Sequence, residues 1–171
     1  MCSTLKTLLG FVISVLEKYT PLQLSGGELE DTYNYLRINE RIATSGQPTE
    51  AQFYLIRDAG YATVINLAPQ SVLENSLKTE AELLEELGMH YVYIPVNFKQ
   101  PTEQDFAEFV TAMQATAEQP VWVHCAANMR VSAFMYRYRC TVLGEDQQAA
   151  RETLQQIWEP VSVWKRFIEQ S

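Results

Sequence analysis

The sequence predicts an α/β domain with a central, mainly parallel sheet of four to five strands, flanked by helices and followed by a helical C-terminal tail. Short apolar runs rich in β-branched and aromatic residues alternate with helical patterns through the middle of the chain, which is typical of a parallel sheet covered on both faces. The last forty or so residues contain no strand-like run. With 171 residues, 47% apolar and 20% charged, the chain is long and apolar enough for one globular domain.

The elements are predicted in chain order from periodicity and from helix start and stop signals. We expect a helix and linker over residues 1–27 and the α/β domain over residues 28–171. Capping boxes at Thr49 with Gln52 and at Thr102 with Asp105 mark two helix starts. Strands are predicted at 33–38, 42–45, 61–67, 89–96 and 120–124, and helices at 49–59, 78–87, 102–118, 130–143, 145–158 and 161–170. We interpret the glutamates of helix 78–87 as a solvated face.

The apolar N-terminal stretch at residues 8–16 is too short to cross a bilayer, so no membrane span is expected. Glu17 and Lys18 follow it directly, and no cleavage site of small residues is evident. Apolar residues at helical spacing favour a helix that packs on the domain. Membrane-surface association and an export signal are the alternatives.

One segment carries a pattern that indicates chemistry. The apolar strand ends at His124 and Cys125, the loop continues through small or unbranched residues, and a helix restarts at about Arg130. A strand, tight loop and helix in that order direct the loop N–H groups and the positive end of the helix at one point. A cysteine there is favoured as a thiolate nucleophile, and Arg130 offers a planar charged fork that suits a phosphate. The alternative is a cysteine that only fills the core.

This segment resembles the signature of the cysteine-dependent tyrosine and dual-specificity phosphatases: His-Cys, five residues, Arg, then Ser or Thr. Here four residues separate Cys125 from Arg130, and Ser132 lies seven positions after Cys125. This spacing is similar to that of the bacterial beta-lactamase-hydrolase-like phosphatases and of the rhodanese sulfurtransferases. The Ser-Gly-Gln-Pro sequence at residues 45–48 also resembles the beta-lactamase-hydrolase-like phosphatases. The resemblance implies a cysteine-phosphatase-like fold.

The resemblance also implies roles for the site residues. Cys125 would attack phosphorus, and His124 would order the loop. Arg130 would hold the phosphate oxygens together with the N–H groups of four loop residues, which are Ala126, Ala127, Asn128 and Met129. Asn128 would replace a loop glycine, because asparagine tolerates a left-handed backbone. Ser132 would assist departure of the sulfur, or would simply bond a carbonyl in the first helical turn.

The general acid is the weak point of this prediction. In the resembling family it is an aspartate on the loop after the preceding strand, and the corresponding residue here is Asn97. An amide cannot donate a proton as a carboxylic acid can. Glu103 and Asp105 are nearby carboxylates, although Asp105 is more simply explained as a capping residue. Ser45, Gly46 and Gln47 either border the site or form a plain turn.

Three functions therefore stay open: a phosphatase acting on phosphate monoesters such as phosphotyrosine, a sulfurtransferase with a Cys125 persulfide, and a phosphate-binding module with little turnover. No metal or organic cofactor is implied. The formal net charge of −8 argues against a nucleic-acid partner and favours a phosphorylated small molecule or protein. Three cysteines without metal-ligand or disulfide spacing are typical of a reduced, cytoplasmic protein. The pattern does not indicate an oligomeric state.

Overall fold

A computed structural model of the chain describes Thr4, residues 27–70 and residues 79–170. The predicted N-terminal helix, Cys2, most of the loop at 68–75 and the first residue of the predicted helix 78–87 lie outside the described residues. No helix among the described residues is long and apolar enough to cross a membrane.

Five strands form one mainly parallel sheet, as predicted. They are β1 (Leu36–Arg37), β2 (Ile42–Ser45), β3 (Thr63–Asn66), β4 (His90–Tyr93) and β5 (Val121–His124). Their spatial order is β1-β2-β5-β3-β4. β1 pairs antiparallel with β2, and the other pairs are parallel. The strand that leads to the cysteine therefore lies in the middle of the sheet.

The described chain also contains six α-helices and a short 3-10 helix at Leu29–Asp31. The helices are α1 (Glu50–Asp58), α2 (Glu80–Glu86), α3 (Glu103–Ala115), α4 (Met129–Thr141), α5 (Gln147–Gln155) and α6 (Ser162–Glu169). Both predicted capping boxes are formed, at Thr49 with Gln52 and at Thr102 with Asp105. Helix α3 ends at Ala115, three residues before its predicted end, and Thr116 caps it.

The sheet separates two apolar clusters, because successive strand residues point to opposite faces. On one face, Trp122 of β5 packs with Phe53 of α1 and Leu84 of α2. On the other face, Val123 and Cys125 belong to a larger cluster formed with α3, α4, α5 and α6. His124 shares the face of Trp122, where its ring lies 5.8 Å from the ring of Phe53 between centroids. His124 and Cys125 therefore face different surroundings.

Candidate active site

The predicted site residues gather at the carboxyl edge of the sheet, where open parallel sheets bind their ligands. Cys125 directly follows β5 and is 1% exposed. Gln47 comes two residues after β2, Asn66 ends β3, and Asn97 lies in the loop after β4. The sheet topology thus brings together residues that are distant in sequence.

The turn after β2 lies directly against the cysteine loop. The Cys125 N–H donates to the Ser45 carbonyl at 3.3 Å, and the Gln47 N–H donates to the Ala126 carbonyl at 3.2 Å. Gly46 forms an isolated antiparallel bridge with Ala127. A Cβ atom at Gly46 would lie 3.0 Å from the Ala126 oxygen and 2.6 Å from a ring carbon of Tyr33, so this approach requires glycine. Residues 45–47 therefore border the site.

Asn128 occupies the left-handed position of the cysteine loop, with φ 61° and ψ 2°, as the sequence predicted. Its side-chain amide donates to the Asn34 carbonyl at 2.8 Å and to Thr44 Oγ1 at 3.0 Å. Asn34 is itself left-handed, with φ 50°, and its amide donates to the Ala127 carbonyl at 3.0 Å. The two asparagines thus hold the loop between them.

Arg130 lies in the first turn of α4 and is 3% exposed. Its guanidinium carbon lies 5.3 Å from the centroid of the Phe98 ring, within the range of a cation–π contact. The backbone carbonyl of Phe98 accepts a hydrogen bond from Trp164 Nε1 of α6 at 2.9 Å. Phe98 follows Asn97, so the loop in which the general acid was expected contacts the arginine of the cysteine loop.

Ser132 bonds a backbone carbonyl in the first turn of α4, which is the alternative to a catalytic role. Its hydroxyl donates to the Met129 carbonyl at 3.1 Å and accepts from Trp158 Nε1 at 3.2 Å. These bonds anchor the residues after α5 to the first turn of α4. A catalytic role for Ser132 stays a prediction.

The candidate acids are engaged elsewhere. Asn97 is exposed, and its side-chain oxygen accepts from the Lys99 N–H at 2.9 Å, which closes a local turn. Asp105 accepts from the Thr102 N–H at 2.8 Å as a capping residue. Glu103 forms a two-point ion pair with Arg137 at 2.8 and 2.9 Å, and hydrogen bonding to Arg137 lowers the pKa of Glu103. An acid role for Glu103 or Asp105 stays a prediction.

Sequence analysis missed Glu80. The interpretation of the α2 glutamates as a solvated face is wrong for this residue, which is 1% exposed. Its carboxylate accepts from His124 Nε2 at 3.0 Å, Asn66 Nδ2 at 2.9 Å and Gln47 Nε2 at 2.8 Å. The signal was present, because Glu80 lies three and four positions before Leu83 and Leu84 and so shares their buried helix face.

The ionised state of Glu80 is favoured despite its burial. Burial raises the pKa of this carboxyl, but attraction to His124 and hydrogen bonds from His124, Gln47 and Tyr91 lower it by more, so its pKa lies below the usual range. An ionised carboxylate behind the residue that precedes Cys125 is therefore part of the site's electrostatics.

A groove of about 520 Å³ lies elsewhere, between β4 and α3. Val92, Tyr93, Ala107 and Ala112 are among its lining residues, and no residue of the cysteine loop contributes to it. It is separate from the candidate active site.

The chain is similar in sequence and in fold to several known proteins. In Xylella fastidiosa, a beta-lactamase hydrolase-like protein is 38% identical over 95 residues, which cover 54% of this chain and 22% of that protein. The chain thus spans about a fifth of the length of the curated relatives it matches. A putative phosphatase from Shewanella putrefaciens has a crystal structure with a TM-score of 0.73 and 30% identity, covering 83% of this chain and 93% of the other.

A variant of TpbA from P. aeruginosa in complex with pTyr superposes with a TM-score of 0.61 at 21% identity, covering 80% of each chain. At that identity the likeness shows a shared fold. The model of the family described as DSP-PTPase phosphatase fused to NAD+ kinase matches residues 16–170. The chain therefore belongs to this family of protein-tyrosine-phosphatase-like and dual-specificity phosphatases.

Proposed function

We propose that the protein is a cysteine-dependent phosphatase that hydrolyses phosphate monoesters through a thiophosphate intermediate. The observation that carries this proposal is the cysteine loop itself. Cys125 directly follows a buried strand, Asn128 turns the backbone through the left-handed region, and Arg130 lies in the first turn of the following helix. Such a loop presents N–H groups, a helix N-terminus and a guanidinium to one phosphate.

In the proposed reaction, the Cys125 thiolate attacks phosphorus, and the bond from phosphorus to the ester oxygen breaks. The leaving oxygen takes a proton from a solvent molecule, or from Glu103 or Asp105 of the helix that follows the Asn97 loop. Arg130 and the N–H groups of residues 126–129 stabilise the charge that develops on the three non-bridging oxygens. Water then attacks the thiophosphate, which releases inorganic phosphate and regenerates the thiolate.

The proposed substrates are phosphate monoesters with good leaving groups, and aryl esters such as phosphotyrosine above all. Asn97 stands where an acid is expected, so esters whose leaving group needs little protonation are favoured. The relative crystallised with pTyr supports this substrate class by its fold. The net charge of −8 disfavours polyanionic substrates, and the free cysteines at 125 and 140 suit a reduced, cytoplasmic setting.

The first experiment is hydrolysis of an aryl phosphate by the wild type and by Cys125→Ser under reducing conditions. We expect turnover by the wild type and a loss of at least about 10⁴-fold in kcat for the variant, since the nucleophile is removed. Cys140→Ser is the matched control, because Cys140 is a half-buried thiol of helix α4 and lies outside the cysteine loop. Its kcat should stay within about twofold of the wild type.

Equal activity of the wild type and Cys125→Ser would contradict the proposal. A second candidate, a phosphate-binding module with little turnover, is favoured by one observation: the side chain of Asn97 closes a local turn and offers no acid. That candidate predicts phosphopeptide binding without product. A persulfide on Cys125 with thiosulfate-dependent conversion of cyanide would instead identify a sulfurtransferase.

A further inference from the structure

We propose that Glu80 is a positioning residue for this reaction. Its buried carboxylate holds His124 in one tautomer and, at the same time, fixes the turn that supports the other side of Cys125. The inference rests on the proposed function for its kinetic consequence. It rests on geometry alone for the state of His124.

The first part of the argument concerns the proton on the His124 ring. An ionised carboxylate has only acceptor sites, so the ring nitrogen 3.0 Å from Glu80 must carry a proton. Glu80 therefore selects the form with a proton on Nε2 and excludes the neutral tautomer with a proton on Nδ1 alone. The buried Nδ1 has no hydrogen-bond partner among the described residues, so the bond to Glu80 fixes the hydrogen-bonded orientation of the ring.

The second part concerns Gln47. The Gln47 side chain donates to the other oxygen of Glu80 at 2.8 Å, while its backbone N–H donates to the Ala126 carbonyl at 3.2 Å. Asn66, at the end of β3, donates to the first oxygen at 2.9 Å. One carboxylate thus contacts the residue before Cys125 and the residue that binds the backbone after it. A displacement of this carboxylate would act on both flanks of the nucleophile.

The substitution Glu80→Gln isolates the carboxylate with little change in volume. An amide has one acceptor oxygen, and its NH₂ group must face either Gln47 or the pair formed by His124 and Asn66, all of which are donors there. The variant therefore loses one of the two connections, or keeps it only after the Gln47 amide flips or the His124 ring changes tautomer. Glu86→Gln is the matched control, because Glu86 is exposed on the same helix.

The experiment combines kinetics with alkylation of Cys125. The kinetic readouts are kcat and KM for an aryl phosphate. The alkylation readout is the pH midpoint of iodoacetamide modification of the Cys125 peptide, followed by mass spectrometry. For Glu80→Gln we expect kcat to fall at least about tenfold, with KM within about threefold. We also expect the alkylation midpoint to differ from that of the wild type, because the backbone on both sides of Cys125 loses part of its support. Glu86→Gln should change neither.

Dependence on His124 separates positioning from simple stability. In a His124→Asn background, Glu80→Gln should lower kcat by a smaller factor than it does in the wild type, because only the connection through Gln47 is left to lose. An unchanged kcat and alkylation midpoint in Glu80→Gln, with only a lower melting temperature, would overturn the proposal.

Nitrogen NMR of the wild type keeps the test independent of folding of the variants. The chain has two histidines, so His90→Gln assigns the His124 ring directly. We expect the Nε2 proton to be present from about pH 5.5 to 8, and a ring protonated on Nδ1 alone would overturn the proposal. A wild type without phosphatase turnover would contradict the proposed function and leave the alkylation and NMR results to decide on Glu80.

Discussion

Two loops at the carboxyl edge of the sheet each contain an asparagine at a position where the resembling phosphatases use another residue, and the consequences differ. In the cysteine loop, Asn128 reproduces the left-handed backbone of a glycine and adds hydrogen bonds to Asn34 and Thr44. In the loop after β4, Asn97 is exposed, and its oxygen only closes a local turn. Asparagine can supply the backbone geometry of a glycine, whereas its amide cannot supply the proton of a carboxylic acid.

The largest expected effect concerns the geometric asparagine. Asn128→Ala should lower the free energy of unfolding by about 2–3 kcal/mol. A left-handed alanine costs about 1 kcal/mol, and the lost buried hydrogen bonds cost about 1–2 kcal/mol more. Asn128→Gly should lower the free energy of unfolding by about 1 kcal/mol less than Asn128→Ala does. Glycine adopts the left-handed backbone without strain, so this variant loses only the hydrogen bonds. Urea unfolding measures both values, and equal stability of the two variants would contradict a left-handed requirement at this position.

The second prediction concerns Asn97, which stands where a general acid is expected. Asn97→Asp should raise kcat at least about tenfold for an alkyl phosphate, which has a poor leaving group, and much less for a nitrophenyl phosphate. The kcat profile of the variant should gain a basic limb, because the new carboxyl loses its proton as the pH rises. Asn97→Ala is the control and should produce no gain. Equal gains on both substrates would mean that the loop does not reach the leaving oxygen.

The smallest expected effect concerns Glu103, whose folded pKa is lowered by hydrogen bonding to Arg137. A lowered pKa stabilises the fold above the unfolded value of about 4.3, and this contribution is lost as the pH falls through the folded pKa. Because the Glu103 side chain is 62% exposed, solvent screening limits the contribution to less than about 1 kcal/mol.

Glu103→Gln should therefore be slightly less stable than the wild type at pH 7 and equally stable near pH 3. Thermal unfolding at the two pH values checks this. A large fall in kcat for this variant, without a change in stability, would instead identify Glu103 as the general acid.

The helices and strands could be predicted from the sequence because the signals that mark them are local. The capping boxes at Thr49 and Thr102 depend on residues three positions apart, and both are formed. The left-handed Asn128 was predictable for the same reason, since it depends on the preference of one residue type. Strand lengths were overestimated at β1 and β4, where the regular pairing ends at Arg37 and Tyr93 although apolar residues continue beyond both strands.

The parts of the site that sequence analysis missed depend on long-range contacts. Glu80 is buried only because α2 packs over the ends of β3 and β5, where Asn66 and His124 supply donors. Gly46 is required because a Cβ there would lie 2.6 Å from a ring carbon of Tyr33 and 3.0 Å from the Ala126 oxygen of the cysteine loop. The helical spacing of Glu80 from Leu83 and Leu84 indicates a buried face, but neither the polar partners of Glu80 nor the close approach at Gly46 can be obtained from composition or periodicity. The sequence indicated the cysteine loop but not the contacts that Asn34 and Glu80 make around it.

The indole hydrogen bonds of the C-terminal helices have a practical consequence for how fragments of this protein should be made. Trp158 donates to Ser132 beside the arginine of the loop, and Trp164 donates to the carbonyl of Phe98, whose ring lies against that arginine. The C-terminal segment therefore contacts both the helix that carries Arg130 and the loop that carries Phe98. A truncated version that ends before Ser162 would keep every residue of the cysteine motif and still lose the support of the loop that faces it.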